Sequence, residues 1–299
     1  MKKSVIFMAS LVAGLAVRAV ADPIQHIVVL GDESRGFIHY VDQFNTNNNF
    51  SISVPRPVWD LRACGENRYR SIAGKGFTVV DFKQRAIVDR FAHDALGGLS
   101  SVCDLPDGGF IAGTTQKIDS KDAIVVYRFN AERQLKGRTI FAGVGCLRMM
   151  TRLDSGEILL AYNDGILRVM LAVEGSEQGK ILQTYKQPRS RNAYKAIPAR
   201  AGGFWSGTGY AGQVVRYTAE GAIVQTFEAQ QPAGLKNHFY AEPVELSNGH
   251  LVVANWTGHG ANDSEKGWQV IEFDQDGKVV WHLHDPAHYG SVSGVTILK

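Results

Sequence analysis

One short element recurs along the chain and limits what the chain can become. An alternating strand ending in a polar turn occurs six times: GFIHYVDQ from Gly36, GFTVVDFK from Gly76, AIVVYRFN from Ala123, ILRVMLAV from Ile166, QVVRYTAE from Gln213 and QVIEFDQD from Gln269. Successive starts are 40, 47, 43, 47 and 56 residues apart. Apolar–polar alternation marks a half-buried strand, and near-even recurrence means that one supersecondary unit is reused. In four copies a turn leads into a further strand: QRAIVDRF, GKILQTY, GAIVQTF and GKVVWHL. A second signature precedes the repeated strand, a glycine turn between two strands: LPDGGFIAG from Leu105, LDSGEILLA from Leu153, ARAGGFWSG from Ala199 and LSNGHLVVA from Leu246.

Each unit therefore has four strands: an inner strand running into the glycine turn, a second strand after it, and then the hairpin. Four strands in about 45 residues make the blade of a β-propeller. Helical periodicity is nearly absent and turn residues fall at strand-length intervals, as an all-β chain requires. A β-sandwich would leave six similar units unexplained. The chain starts with HIVVLG at His26, which matches a second strand, and ends with YGSVSGVTIL, which matches a first strand. The C-terminal strand is thus expected to complete the N-terminal blade and seal the ring. The expectation is an all-β, six-bladed β-propeller with four antiparallel strands per blade. Its blades cover 26–54 with 291–298, then 57–91, 98–141, 146–185, 193–228 and 239–283.

Residues 1–21 have the form of a secretory signal. Lys2 and Lys3 precede an apolar run from Val5 to Val17, and Ala19-Val20-Ala21 offers a cleavage site before Asp22. The run is short of the ~20 residues needed to span a bilayer. The mature chain is then a single propeller over 22–299, periplasmic or secreted, without membrane insertion and read as a monomer. Loss of Lys2, Lys3 and Arg18 takes Lys plus Arg from 32 to 29, equal to the 29 Asp plus Glu. A neutral chain without a basic tract gives no electrostatic reason to expect nucleic acid as a partner. Cys64, Cys103 and Cys146 carry no metal-ligand spacing. Cys103, inside an apolar strand, reads as a small buried hydrophobe, and a Cys64–Cys103 bridge is the other reading.

The repeat resembles that of bacterial exported β-propeller proteins of the quinoprotein-like and NHL-like kind. The segment Asp274-Gln275-Asp276-Gly277-Lys278-Val279-Val280-Trp281 is similar to the D-x-x-G-K-x-x-W docking motif of quinoprotein propellers. The resemblance covers the whole mature chain and implies a β-propeller.

In such a blade, the loop entering the inner strand and the loop between the second and third strands open on one face, where function on rigid β scaffolds resides. Aligning the units on Gly108, Gly156, Gly202 and Gly249 brings Arg191 and His238 into one column. Tyr240 follows; next come Ser100, Arg148, Tyr194 and Ala241, then Ser101, Met149, Lys195 and Glu242. His288 and Tyr289 occupy the corresponding place before the closing strand, and Trp59 and Asp60 do so before the second blade. The other loops add Glu33, Tyr210, Trp256 and His259. Charges on inner strands, Asp60, Arg148, Lys195 and Glu242, must be paired or face the axial channel. Arg148 either pairs with Glu242 or serves a ligand.

This mixture suits a small polar organic ligand, read as a carbohydrate or uronate. Trp59, Trp256, Tyr194, Tyr210 and Tyr240 offer flat faces to a sugar ring; Arg148 and Arg191 can fork onto a carboxylate; Glu242 adds a polar contact. His238, His259, Tyr194 and His288 are the candidate acid/base groups of a lyase or glycosidase-type reaction. Three of these, His238, His259 and His288, are alternatively a ligand set for a divalent transition metal, an arrangement similar to the His-held metal of the oligogalacturonate lyase propellers. Each histidine also has a bland reading, as a loop-carbonyl partner. Trp205, Trp268 and Trp281 read as blade packing. A non-catalytic glycan- or protein-binding propeller is the alternative, for which aromatic faces suffice. The string Gly207-Thr208-Gly209-Tyr210-Ala211-Gly212 lies between strands and so is no dinucleotide fingerprint.

Overall fold

The computed structural model describes residues 23–173, 175–188 and 192–299. The expected signal segment and Arg191 lie outside these residues. Six four-stranded antiparallel sheets form the blades of a propeller. From the axis outward, blade 1 runs Val292–Ile297, Ile27–Asp32, Phe37–Asp42 and Phe50–Ser53. Blades 2 to 6 follow in chain order, with inner strands Trp59–Gly65, Leu99–Asp104, Leu147–Arg152, Ala196–Pro198 and Phe239–Glu245. The C-terminal strand pairs with the N-terminal one, Val29 opposite Thr296 and Leu30 opposite Val295, so blade 1 is built from both ends of the chain.

The glycine turns share one geometry. In each, the glycine N–H donates to the carbonyl three residues back, as in Gly108 to Leu105 and Gly249 to Leu246. The φ values of Gly108, Gly156, Gly202 and Gly249 are 80°, 87°, 85° and 81°, a region that glycine enters without the Cβ penalty. The repeat visible in the sequence is therefore a repeated hairpin.

Packing follows from the two-residue period of a strand buried on both faces. Among the described residues the buried apolar side chains fall into six clusters, one between each pair of neighbouring blades. In blade 3, Ala123, Val125 and Tyr127 turn toward blade 2, while Ile124 and Val126 turn toward blade 4. Trp281 of the D-x-x-G-K-x-x-W segment is buried at the joint of blades 6 and 1, edge-on to His26 at 4.8 Å. Trp205 and Trp268 are likewise packed between blades 5 and 6. Cys64, Cys103 and Cys146 are all free thiols, and Cys103 is buried between blades 3 and 4.

The ring joint also holds a polar clasp. Glu272, almost fully buried, lies 2.6 Å from His26 Nε2 and 2.7 Å from His250 Nδ1, and His26 Nδ1 lies 3.1 Å from the carbonyl oxygen of Lys299. Burial pulls the His26 imidazole down, but the bonds to Glu272 and Lys299 outweigh it and leave the pKa above its ordinary 6.5. Burial pushes the Glu272 carboxyl up, yet both histidines bring it below its ordinary 4.5. The His26 contribution is full below the unfolded-state value and fades as pH rises through the folded one. That of Glu272 is full above its unfolded value and fades as pH falls through the folded one. The clasp should therefore contribute most between pH 4.5 and 6.5. Thermal denaturation against pH will check this: the Tm gap between wild type and His26→Gln is expected to be widest in that window and to shrink above it. A gap independent of pH would show that the pair does not titrate with folding.

Candidate functional site in the axial channel

The inner strand of every blade is an edge strand whose free backbone groups face the axis. At one common level, each inner strand has one residue too many for its partner. Ser293 is extra opposite Gly31 and Asp32, Ser100 opposite Gly113 and Thr114, and Arg148 opposite Ala161 and Tyr162. Asp60 and Leu61 share one partner position, as do Ala241 and Glu242. Tyr194 and Lys195 both bond to Gly207. Bulges twist a strand and re-aim its side chains. Here six of them turn side chains that would otherwise sit between blades toward the channel.

The upper side chains of this level line a cavity of about 270 Å³. Trp59, Arg148, Tyr194, Tyr210, Trp256 and His259 of the expected site all line it, with Ser100, Leu147, Met149, Phe239 and Ser293. The next step along the inner strands is a buried polar floor. Asp60 accepts from Arg62 Nε at 2.6 Å, Ser101 Oγ at 2.9 Å and Val102 N at 2.8 Å. Ser101 Oγ accepts from Met150 N at 3.0 Å, and Arg62 also donates to the Met150 carbonyl. Lys195 is paired with Glu242. Burial works against the Asp60 carboxylate, but Arg62 and Lys195 hold it below the usual range. Burial pushes the Glu242 carboxyl up against the pull of Lys195.

Arg148 belongs to the cavity and not to the floor. The pairing with Glu242 that the sequence allowed is replaced by Lys195–Glu242, and the Arg148 Nε is buried without a hydrogen-bond partner. A buried cationic donor left open in a cavity is a place for an anion. Beside it, burial raises the Tyr194 phenol well above its ordinary range, reinforced by Glu242 and Asp60, so its hydroxyl stays protonated.

His259 is part of a preorganised group. Its Nδ1 lies 3.0 Å from Glu33 Oε1, while Glu33 Oε2 accepts from Trp256 Nε1 at 3.1 Å. The imidazole stands edge-on to the Trp256 ring at 4.6 Å. The Glu33 side chain is 3% exposed and that of His259 67%, so a buried carboxylate fixes an accessible ring. With Nδ1–H donated to Glu33, Nε2 is left as an acceptor, the role required of a base.

Four expected site residues fall elsewhere. Tyr240 follows Phe239 on a strand, so it turns away from the cavity; it is fully buried between blades 5 and 6, and its hydroxyl accepts from Ala229 N at 3.2 Å. Glu242 belongs to the floor. His238 is held through its backbone N–H to Asn255 Oδ1, and its Nε2 is buried without a partner. Burial, then Lys266 and Lys236, pull its pKa down. His288 is exposed on Asp285, 2.9 Å from Nδ1. His238, His259 and His288 do not converge, and among the described residues no three His, Cys, Asp or Glu side chains are placed to share a metal ion. Alignment on the glycine turn finds positions along an inner strand but cannot see the bulge that decides where each side chain points. Phe239 carried no polar signal, and Glu33 gains its role only from contacts with residues more than 200 positions away.

If the floor is structural, Asp60→Asn should cost about 3–5 kcal/mol, because Arg62 would remain buried without its counter-charge. Urea denaturation measures this; a loss below about 1 kcal/mol would show that the floor tolerates an unpaired cation.

No protein-family profile matches the sequence, and no curated protein matches it. Solved structures do share the fold. A protein of unknown function from Bacteroides caccae is 19% identical with a TM-score of 0.72, covering 92% of this chain and 100% of its own. A catalytically inactive virginiamycin B lyase from Staphylococcus aureus, solved with quinupristin, is 11% identical with a TM-score of 0.55, covering 87% and 85%. A calcium-binding regucalcin from Agrobacterium tumefaciens is 12% identical with a TM-score of 0.59, covering 87% and 94%. The chain thus shares its propeller fold with these structures, and at these identities the similarity is one of fold alone.

Proposed function

We propose that the axial cavity binds a small carboxylate-bearing organic ligand and removes a proton next to that carboxylate, a lyase-type reaction. The observation behind this reading is that a carboxylate-oriented imidazole, Glu33–His259, and an unpartnered guanidinium, Arg148, line the same cavity. In the proposed step His259 Nε2 takes the proton from the carbon beside the carboxylate, and the imidazolium formed is stabilised by Glu33. The C–H electron pair becomes the new C=C bond as the bond to a leaving oxygen breaks. Arg148 meets the charge that grows on the carboxylate, and the protonated Tyr194 hydroxyl supplies the leaving oxygen with its proton. A propeller that is itself a lyase, and whose described inactive form replaces a histidine by alanine, supports this reading by analogy of fold. Of the carbohydrate or uronate expected from the sequence, the uronate is a member of this carboxylate class. With the export expected from residues 1–21, the reaction would take place outside the cytoplasm.

The test is proton exchange in D2O, followed by NMR, over a panel of carboxylates that bind. His259→Ala should slow exchange by about 10²–10⁴-fold while leaving binding in place. Glu33→Gln should also slow it, because the amide N–H₂ would face Nδ1 and force the imidazole proton onto Nε2. Exchange at the wild-type rate in His259→Ala sinks the assignment. Binding without exchange of any carboxylate would make this a binding propeller.

A further inference from the structure

The cavity walls say more about the ligand than that it carries a carboxylate. Phe239 sits at the centre of an aromatic cage, edge-on to Tyr194 at 5.4 Å, Tyr210 at 4.7 Å and Trp256 at 5.7 Å. Edge-to-face contacts hold each ring in place, so the cage is preformed. The polar groups on the same walls are mostly committed already. Ser100 Oγ donates to the Gly98 carbonyl at 3.3 Å, Ser293 Oγ to the Val58 carbonyl at 2.6 Å, and Trp256 Nε1 to Glu33. The side-chain groups that remain for a ligand are Arg148, the Nε1 of Trp59, the Nε2 of His259 and the tyrosine hydroxyls.

A polyhydroxylated sugar acid is poorly matched to such walls. Each ligand hydroxyl that is buried without a partner costs roughly five- to hundredfold in affinity, and several hydroxyls would compete for few free donors and acceptors. The cavity is also blind. Asp60, Lys195 and Glu242 are all buried and fill the channel below it, so no chain can thread through. A volume of about 270 Å³ is at the small end for ligand sites and admits one compact molecule.

Resting on the reading of Arg148 as a carboxylate anchor, we propose that the ligand is a compact monocarboxylate bearing an apolar ring and few hydroxyls. The ring stacks within the cage around Phe239 and the carboxylate forks onto Arg148. This proposal replaces the carbohydrate or uronate expected from the sequence with a different member of the carboxylate class.

Calorimetry and tryptophan fluorescence test it with phenylacetate and 3-phenylpropionate, their parent alcohols 2-phenylethanol and 3-phenylpropan-1-ol, and glucuronate. The aryl acids are expected to bind at least tenfold more tightly than both the alcohols and glucuronate. Arg148→Met should erase the acid–alcohol difference, and Arg148→Lys should restore part of it. Glucuronate binding as tightly as the aryl acids would overturn the proposal. So would acid preference surviving in Arg148→Met, or no binding by any aryl acid. The two readings fail separately: an aryl acid that binds but keeps its α-protons sinks only the lyase reaction. Glucuronate binding more tightly and exchanging its proton would sink only the ligand class.

Discussion

The inner edges of six sheets face one axis, and their backbone groups must find partners there. An edge strand exposes a row of donors and acceptors that cannot be left dry. This propeller satisfies many of them with side chains from other blades: Asp60 takes Val102 N, Ser101 takes Met150 N and Arg70 the Val102 carbonyl, each one blade on, while Arg62 reaches two blades on to the Met150 carbonyl. Blade-to-blade registry is thereby fixed at the centre by hydrogen bonds and farther out by six apolar clusters. The bulges belong to the same solution, since they supply the extra residue at each blade that aims a side chain into the channel. A floor and a cavity follow from one requirement.

Within that frame the site depends on how two carboxylates and two cations are distributed. Glu242 is held by Lys195, which leaves Arg148 unpaired one level above. Glu33 uses one oxygen for Trp256 and the other for His259, so it fixes an aromatic wall and a potential base at once. Neither arrangement is reproduced at His238 or His288, where the partners are a backbone-directed Asn255 and a half-buried Asp285. Equal residue types thus have unequal prospects, and the difference lies in what the neighbouring blade presents to each.

The similarity to a lyase, to a calcium-binding protein and to a protein of unknown function shows how little the propeller by itself dictates. A closed ring of blades supplies a rigid central cleft and leaves its chemistry to a few positions on the inner strands and upper loops. In this chain those positions combine an aromatic cage, one open cation and one oriented imidazole.

Most of the fold could be read from the sequence because period-two alternation and recurring glycine turns are local signals. GFIHYVDQ and its five relatives are the third strands of the blades, and YGSVSGVTIL closes the ring against HIVVLG. The site was legible only in part. Alignment on the glycine turn placed Arg148 and Tyr194 at the level of the channel, and loop position brought forward Trp59, Tyr210, Trp256 and His259. It could not separate Phe239 from Tyr240, adjacent on one strand and facing opposite ways, nor pair Glu33 with a histidine at the other end of the chain. Sequence determined the blades, because strand, turn and repeat are encoded within a few tens of residues. Tertiary structure alone decided the cavity, because bulge direction and the partner of each buried charge are set by neighbouring blades whose contacts no local pattern records.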